Sequence, residues 1–442
     1  MSTHTVYRFT SRNGFDGLQA FQEPIPVAGK YEVLVKVRSV ALNYRDVAIA
    51  NSTYPVPVKD LVIPCSDMAG EVVQVGELAD GFSIGDRVIS PVSHAMLYGP
   101  AKDHINTLGG LKDGVLREYI ALPAHATIKL PKSSHSFAQW ASLVTTGGTA
   151  WNSLYGLVPL KPGQTVLVLG TGGVSLTALI LAKAAGATVI ITSSSDDKLE
   201  HVKSKYGADY TINYNTHPNW GAEVQRITNG QGVDNVIEIS GTGTIEKSIE
   251  AVAWGGIVSV IGFLTTVPKE EMPDVTLLTL LKGATLRAVL SGSKQQLEDA
   301  VAFMGSRELQ MPVDKTFGFN RDEIIEALKY VESGKHIGKD IQRLGQECLF
   351  DDPGDDPQHL PFDFTQSFNT SRSRRPRNHL KPVLEQQGAF ETTQGVLNTP
   401  ERCPGARYQL NSQTHRYAQS MRSMKDSLVD MCRPVQLSSF YE

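Results

Sequence analysis

Four cysteines in 442 residues (Cys65, Cys348, Cys403 and Cys432) are too few for a disulfide framework, so a reducing, cytoplasmic setting is the simplest expectation. No run of 18 apolar residues occurs, which leaves no candidate for a membrane-spanning helix. The opening MSTHTVYRFTSRNG has no basic segment followed by an apolar one, so no signal peptide is expected. Charge of one sign is lacking as well. Lys and Arg number 42 against 46 Asp and Glu, a net charge of −4, which gives no bulk field for nucleic acid or an anionic membrane. There is no C-x-x-C, and the 11 histidines show no H-x-x-x-H spacing, so the usual structural and catalytic metal patterns are missing. What remains is 41% apolar and 20% charged, ordinary for a globular chain of two or three domains.

The texture changes near residue 343. No isoleucine follows Ile341, and Gln, Ser, Arg, Thr and Pro dominate stretches such as FTQSFNTSRSRRPRNHLKP (364–382). Residues 344–442 read as a disordered tail, apart from a weak helical candidate at 417–431. A partner-binding tail and an out-of-frame gene model both fit this composition. The first 128 residues look mostly β, with alternating strands in YEVLVKVRSVALN, GEVVQVGE, DRVISPV and EYIALP. From 129 to 290 strands alternate with helices: QTVLVLG, SLTALILAKAAG, ATVIITS, DKLEHVKSKYG, VDNVIEIS, GIVSVIG. That alternation predicts an α/β fold with a doubly wound parallel sheet. Two amphipathic helices, QQLEDAVAFM and RDEIIEALKYVESG, flank a short β segment between 291 and 343.

The strongest motif is VLVLGTGGVSLTALILAKAAGA (166–187), an apolar strand running through a glycine-rich turn into a helix. Its spacing, G-x-G-x-x-S, is that of a dinucleotide-binding turn. Gly170 permits the tight turn, Gly172 removes a side chain where a pyrophosphate must approach, and Ser175 is small enough for close helix packing. Gly170, Gly172, Gly173, Val174 and Ser175 form the expected phosphate cradle, at a helix N-terminus whose free N–H groups favour anions. The alternative is a turn made only for packing. An acid that would hold a ribose 2′-hydroxyl is expected about 20 residues after the first glycine. Here the strand ends in Ser193-Ser194-Ser195, with Lys198 nearby, which suits a 2′-phosphate and favours NADP(H). Asp196 and Asp197 are the counter-evidence, and Ser195 or Asp196 also suits a helix N-cap.

Residues 5–343 resemble the medium-chain dehydrogenase/reductase superfamily, in its zinc-free, quinone-reductase-like branch. The likeness rests on ALNYRDVAIANSTYP (41–55), IPCSDMAGEVVQVGE (63–77), GFSIGDRV (81–88), TTGGTAWNSL (145–154), GTGGVS (170–175), GADYTINY (207–214) and SGKHIGK (333–339), in that order. The resemblance implies a GroES-like catalytic domain (1–128 and 291–343) split around a Rossmann domain (129–290), an active site in the cleft between them, NADPH-dependent reduction of a small molecule, and frequent homodimers. It also implies further cofactor contacts by position. Thr149 would lie near the nicotinamide or pyrophosphate, Tyr214 by the 2′-phosphate, and Leu290-Ser291 at the carboxamide. Ser240 and Gly262-Phe263-Leu264 follow successive strands, where ligands of open α/β sheets bind. Each of these also has a plain packing reading. Lys335, His336 and Lys339 read as basic and solvated, although the resemblance leaves a late lysine near the cofactor open. HIGKDIQRLG lacks the apolar closing strand expected after H-x-G-K.

In the zinc branch of this family three positions hold the catalytic metal. They fall here on Asn43, on Ser66 beside Asp67, and on Thr145 or Thr146, none of them Cys or His. Cys65 reads as a small buried thiol. No metal is therefore expected, and the chemistry must stabilise charge by hydrogen bonds. Hydride added to a conjugated carbonyl (a quinone or an enone) gives a delocalised enolate, which one or two donors can stabilise. Alcohol or aldehyde dehydrogenation on the same scaffold, and a non-catalytic NADPH-binding protein, are the other readings. Tyr54 resembles the family's enoyl-reductase proton donor, against a tyrosine that packs its loop; a phenol donates at neutral pH. Asn43 is either an amide donor to the carbonyl or an Asx turn. Tyr44 reads as core, and Arg45 and Asp46 as an ion pair or backbone anchor.

Overall fold

The computed structural model describes residues 2–102, 107–265 and 267–344. The tail, with Cys348, Cys403, Cys432 and the helical candidate at 417–431, lies outside the described residues. In chain order the elements are β1 (Thr3–Phe9), β2 (Leu18–Pro24), β3 (Glu32–Ala41), α1 (Tyr44–Ala50), β4 (Asp67–Val75), β5 (Arg87–Ile89), β6 (Tyr119–Pro123), β7 (Ile128–Lys129) and α2 (Phe137–Tyr155). Next come β8 (Thr165–Leu169), α3 (Gly173–Ala184), β9 (Thr188–Ser193), α4 (Asp196–Tyr206), β10 (Tyr210–Asn213), α5 (Trp220–Ile227), β11 (Val233–Glu238), α6 (Ile245–Ala251) and β12 (Val252–Val260). The series ends with α7 (Val275–Lys282), β13 (Thr285–Ala288), α8 (Lys294–Ser306), β14 (Val313–Gly318), α9 (Arg321–Glu332) and β15 (Lys339–Arg343).

Two large sheets organise most of these elements, and β1 and β2 form a separate antiparallel pair. The first, in the order β14-β15-β3-β4-β5-β7 with β6 also on β3, is antiparallel apart from its β14–β15 pair. The second is wholly parallel, in the order β10-β9-β8-β11-β12-β13, so the strand order reverses between β8 and β11. Such a reversal opens a crevice beyond the strand ends, where ligands of this fold bind. The expected α/β class, with a doubly wound Rossmann sheet and a GroES-like mostly-β part, is what the chain adopts.

Local chemistry explains the element ends. Ser136 and Gln139 cap α2 reciprocally, Ser136 N–H donating to Gln139 Oε1 at 2.9 Å and Gln139 N–H to Ser136 Oγ at 3.2 Å. Helix α2 is buried along most of its length around Trp140 and packs against α3, α8 and β4, so it spans both sheets. Ser195 Oγ accepts from Lys198 N–H and caps α4, which resolves the cap choice in favour of Ser195.

One expectation is overturned. The chain after H-x-G-K does form a closing strand: β15 pairs parallel with β14 and antiparallel with β3. Its pattern was illegible because Lys339, Asp340 and Gln342 are buried along with Ile341, so no polar–apolar alternation survives.

Candidate active site

Strand β8 delivers the chain to Gly170, whose φ of 70° is the left-handed region that favours glycine. Gly172 then caps α3 with no side chain, at an ordinary φ of −78°. Neither backbone nor packing demands glycine there: a Cβ would meet only His336 Nε2, at 3.9 Å. The space is open in front of the first turn of α3, whose leading N–H groups have no intrahelical acceptor. Such a cradle fits a dinucleotide pyrophosphate. Ser175 is fully buried, and its hydroxyl donates to Leu169 O at 2.6 Å, which ties helix to strand. Gly173 is glycine for another reason. A Cβ would lie 2.6 Å from Lys339 Cδ, 2.7 Å from Cγ and 3.0 Å from Thr146 Cγ2.

At the end of β9, Ser193 is buried and Ser194 exposed, and Tyr214 N–H donates to Ser193 O at 3.0 Å, so these three are neighbours. Asp196 is held by Asn213 Nδ2 at 2.8 Å. Lys198 differs from a free phosphate ligand. Its ammonium donates to Gly334 O at 2.7 Å and His336 O at 3.1 Å, leaving one N–H, and burial lowers its pKa. Beyond β11, the buried Glu238 accepts from Ser240 N at 2.7 Å, Gly241 N at 3.0 Å and Thr244 Oγ1 at 2.8 Å, which shapes the Ser240 loop. Gly262 lies so close to the Ile239 carbonyl that a Cβ would strike it. Thr149 is buried with Oγ1 unpartnered, and Asn152 Nδ2 donates to Ser291 O at 2.6 Å one turn further along α2. Leu264 and Leu290 are exposed.

The facing wall comes from α1 and the loop after it. The Tyr54 ring lies 6.2 Å from Phe263 and the Tyr44 ring 6.3 Å from it, so Phe263 bridges the two halves of the chain. Tyr44 is 42% exposed, which corrects its expected place in the core. Its ring edges the crevice because it opens α1 on the outer side of the turn. The Arg45 guanidinium sits over Tyr54, 5.4 Å from the ring centre, and donates to Leu108 O at 3.0 Å. Asp46 accepts from Asn43 N–H at 2.8 Å and anchors the start of α1; burial pushes its pKa up to about 6. Cys65 is buried, and burial pushes its thiol pKa up.

At the centre lies a network that the sequence reading missed. Lys339 is 4% exposed, not solvated, because β15 carries it inward beneath Gly173. Its ammonium donates to Asn43 Oδ1 at 2.6 Å and Leu42 O at 2.5 Å and lies 3.7 Å from Asp67 Oδ2. Burial lowers its pKa, and Asp67 opposes that shift. Asp67 in turn accepts from Ser66 Oγ at 2.6 Å, Thr145 N at 3.0 Å and Thr145 Oγ1 at 2.6 Å. A charged residue opening a strand at a position that is buried, between Ser66 and Met68, was the signal available for Asp67.

The three zinc-branch positions therefore do converge, on Asp67 and Lys339. Their donor set does not fit a zinc ion. It offers an amide oxygen already bound to an ammonium and two hydroxyls already donating to a carboxylate, with no imidazole and no ionised thiol. Among the described residues no group of three or more His, Cys, Asp or Glu is placed to hold a metal. Nor does any described helix have the length and apolarity to cross a membrane.

A parallel sheet with a glycine-rich strand-to-helix turn, facing buried polar donors on a second sheet, defines a dinucleotide-dependent oxidoreductase. Residues 29–132 match the alcohol dehydrogenase GroES-like domain and residues 173–306 the zinc-binding dehydrogenase family. A zinc-type alcohol dehydrogenase-like protein of Schizosaccharomyces pombe is 41% identical over 340 residues, 75% of this chain and 96% of the relative. The acryloyl-coenzyme A reductase of Metallosphaera sedula is 29% identical over 354 residues, 76% of this chain and 97% of that one. The crystal structure of a putative alcohol dehydrogenase from Sinorhizobium meliloti superposes with a TM-score of 0.71 at 33% identity, covering 78% of this chain and 99% of that one. The chain belongs to the medium-chain dehydrogenase/reductase superfamily, whose members are oxidoreductases that imply a nicotinamide cofactor.

Proposed function

We propose that this protein is an NADPH-dependent, metal-independent reductase of small molecules that carry a conjugated carbonyl, a quinone or an enone. The observation that carries the reading is the Asn43 carboxamide. Its oxygen is taken by Lys339, and its Nδ2, closed off from solvent, has no protein acceptor; a substrate oxygen reaches this unpaired donor once the side chains over it move aside. A reduced nicotinamide, when bound, supplies hydride. Gly170, Gly172, Gly173, Val174 and Ser175 would seat its pyrophosphate, Ser193, Ser194, Lys198 and Tyr214 the 2′-phosphate, and Thr149, Ser240, Gly262, Phe263, Leu264, Leu290 and Ser291 the remaining length. Asn43 stabilises negative charge on the substrate oxygen, and Tyr54 gives a proton to the reduced product. Ser66 and Thr145 already donate to Asp67, so charge stabilisation without a metal falls to the unpaired Nδ2 of Asn43. The relative that reduces acryloyl-coenzyme A, a conjugated thioester, is in keeping with this substrate class.

The proposed domains are 1–128 with 291–343, and 129–290. The return of β14 and β15 to the sheet of β3 supports that division. Among the described residues strand β13 is an open sheet edge, and the preceding helix α7 exposes Leu277, Leu280 and Leu281, which supports a homodimer through that face. A cytoplasmic setting suits the free thiol of Cys65.

The test is a panel of quinones, enals and saturated aldehydes assayed with NADPH and NADH, alongside metal analysis of the purified chain. Turnover of conjugated carbonyls with NADPH is expected. Activity confined to saturated carbonyls, or one zinc per chain, would overturn the reading.

A further inference from the structure

We propose that Lys339 is the positioning residue of this site: a built-in cation that fixes the Asn43 carboxamide and biases the crevice toward an oxyanion. The inference rests on the reductase reading above and extends it.

Three observations converge on this lysine. An ammonium has donors only, so the carboxamide atom facing it at 2.6 Å must be Oδ1, and Nδ2 is thereby forced to the other side. A hydrogen bond from a cation to the amide oxygen also polarises the amide, which makes the Nδ2 hydrogens better donors. The charge is held in place: Lys339 N–H donates to Pro312 O at 2.9 Å, the stem runs under Gly173, and the ammonium has two oxygen acceptors. Finally, Asp67 pairs with the ammonium only across 3.7 Å while its oxygens also accept from Ser66 and Thr145, so its charge is shared and offsets that of Lys339 in part. A positive charge in a site of low dielectric stabilises a developing enolate or phenolate far more than it would in water. The same stem underlies the phosphate cradle, so one residue links cofactor seat and substrate donor.

The test uses the full chain saturated with NADP+ and 4-nitrophenol as an unreactive oxyanion probe, its ionisation read by absorbance. The wild-type protein should bind phenolate in preference to phenol. Lys339→Met should weaken phenolate binding about 100-fold and leave neutral-phenol and NADPH affinities within about threefold. With a reducible enal, kcat should fall by a similar factor while KM moves little. Because Lys339→Met leaves Asp67 buried without its cation, the double variant Lys339→Met/Asp67→Asn is measured alongside it. Unchanged phenolate preference in either folded variant, or a wild-type protein that prefers phenol, overturns the proposal. A wild-type protein that prefers phenolate yet reduces no conjugated carbonyl removes the reductase reading and leaves the role of Lys339 standing.

Discussion

Two adjacent glycines should fail in opposite ways, and the contrast separates cofactor binding from packing. In Gly172→Ala the new methyl meets nothing closer than 3.9 Å, at a φ of −78° that alanine adopts freely. The folded state meets no clash but exchanges a glycine N-cap for a poorer alanine one, and the unfolded state loses flexibility; the two offset, so stability should change by less than about 1 kcal/mol. The same methyl occupies the space in front of the α3 N-terminus, where a pyrophosphate must touch backbone. NADPH affinity should fall at least about tenfold, or 1.4 kcal/mol. In Gly173→Ala the methyl lies 2.6 Å and 2.7 Å from the Lys339 stem and 3.0 Å from Thr146. Lys339 is buried and held at its amine, so it cannot swing aside, and overpacking should cost about 1–3 kcal/mol. Urea unfolding of the ligand-free proteins, paired with NADPH fluorescence titration, reads both quantities. A Gly172→Ala protein that binds NADPH like the wild type would refute the cradle, and an unperturbed Gly173→Ala would refute the packing of Lys339 beneath it.

Other expectations follow from the same geometry. Tyr54→Phe should lower kcat on an enal about 100-fold and leave NADPH affinity unchanged; equal turnover by both proteins would return Tyr54 to a packing role. Lys198→Met should weaken NADPH binding about tenfold and NADH binding hardly at all, measured by parallel titrations; equal losses for both cofactors would show that the lysine serves only the Gly334 and His336 carbonyls. His94 bonds Ser90 Oγ through Nε2 at 2.8 Å, and burial, aided by the Lys112 charge, lowers its pKa to about 4 from 6.5. The unfolded chain takes up this proton first, so the stability due to neutral His94 is complete above pH 6.5 and is lost as pH falls toward 4, a change of about 3 kcal/mol. The stability difference between wild type and His94→Gln should shrink by about that amount between pH 7.5 and pH 4.5 in urea titrations. A constant difference would sink the assignment.

The parts of this molecule that were readable in the sequence are those whose cause is local. The Gly170–Ser175 turn follows from strand, turn and helix within a few residues, and Ser175 and Ser195 act through groups six or fewer positions away. The parallel sheet was readable because its buried strands are continuous apolar runs. Lys339 shows the opposite limit. Its partners Leu42 and Asn43 lie about 300 positions earlier, and no period or propensity reports a contact at that separation. Composition misled as well, since a Lys-Asp pair after a glycine reads as a solvated turn, whereas here both side chains are buried. Lys198 was assigned from charge and proximity alone, and its engagement with the carbonyls of Gly334 and His336 again depends on a distant segment.

The same reasoning explains why the three positions aligned with metal ligands carried more information than their residue types suggested. Asn, Ser and Thr at those places looked like the loss of a site. The fold keeps the convergence and changes the charge carrier. Asp67 gathers Ser66 and Thr145, and Lys339 brings one positive charge to Asn43. An ammonium cannot accept electron pairs from a substrate oxygen as a metal does, so it can act only through space and through the amide it polarises. Such a site suits a product whose charge is already delocalised over a conjugated system more than the localised alkoxide of a simple ketone. On the proposed reading, selectivity for enones and quinones follows from which cation sits beneath Asn43.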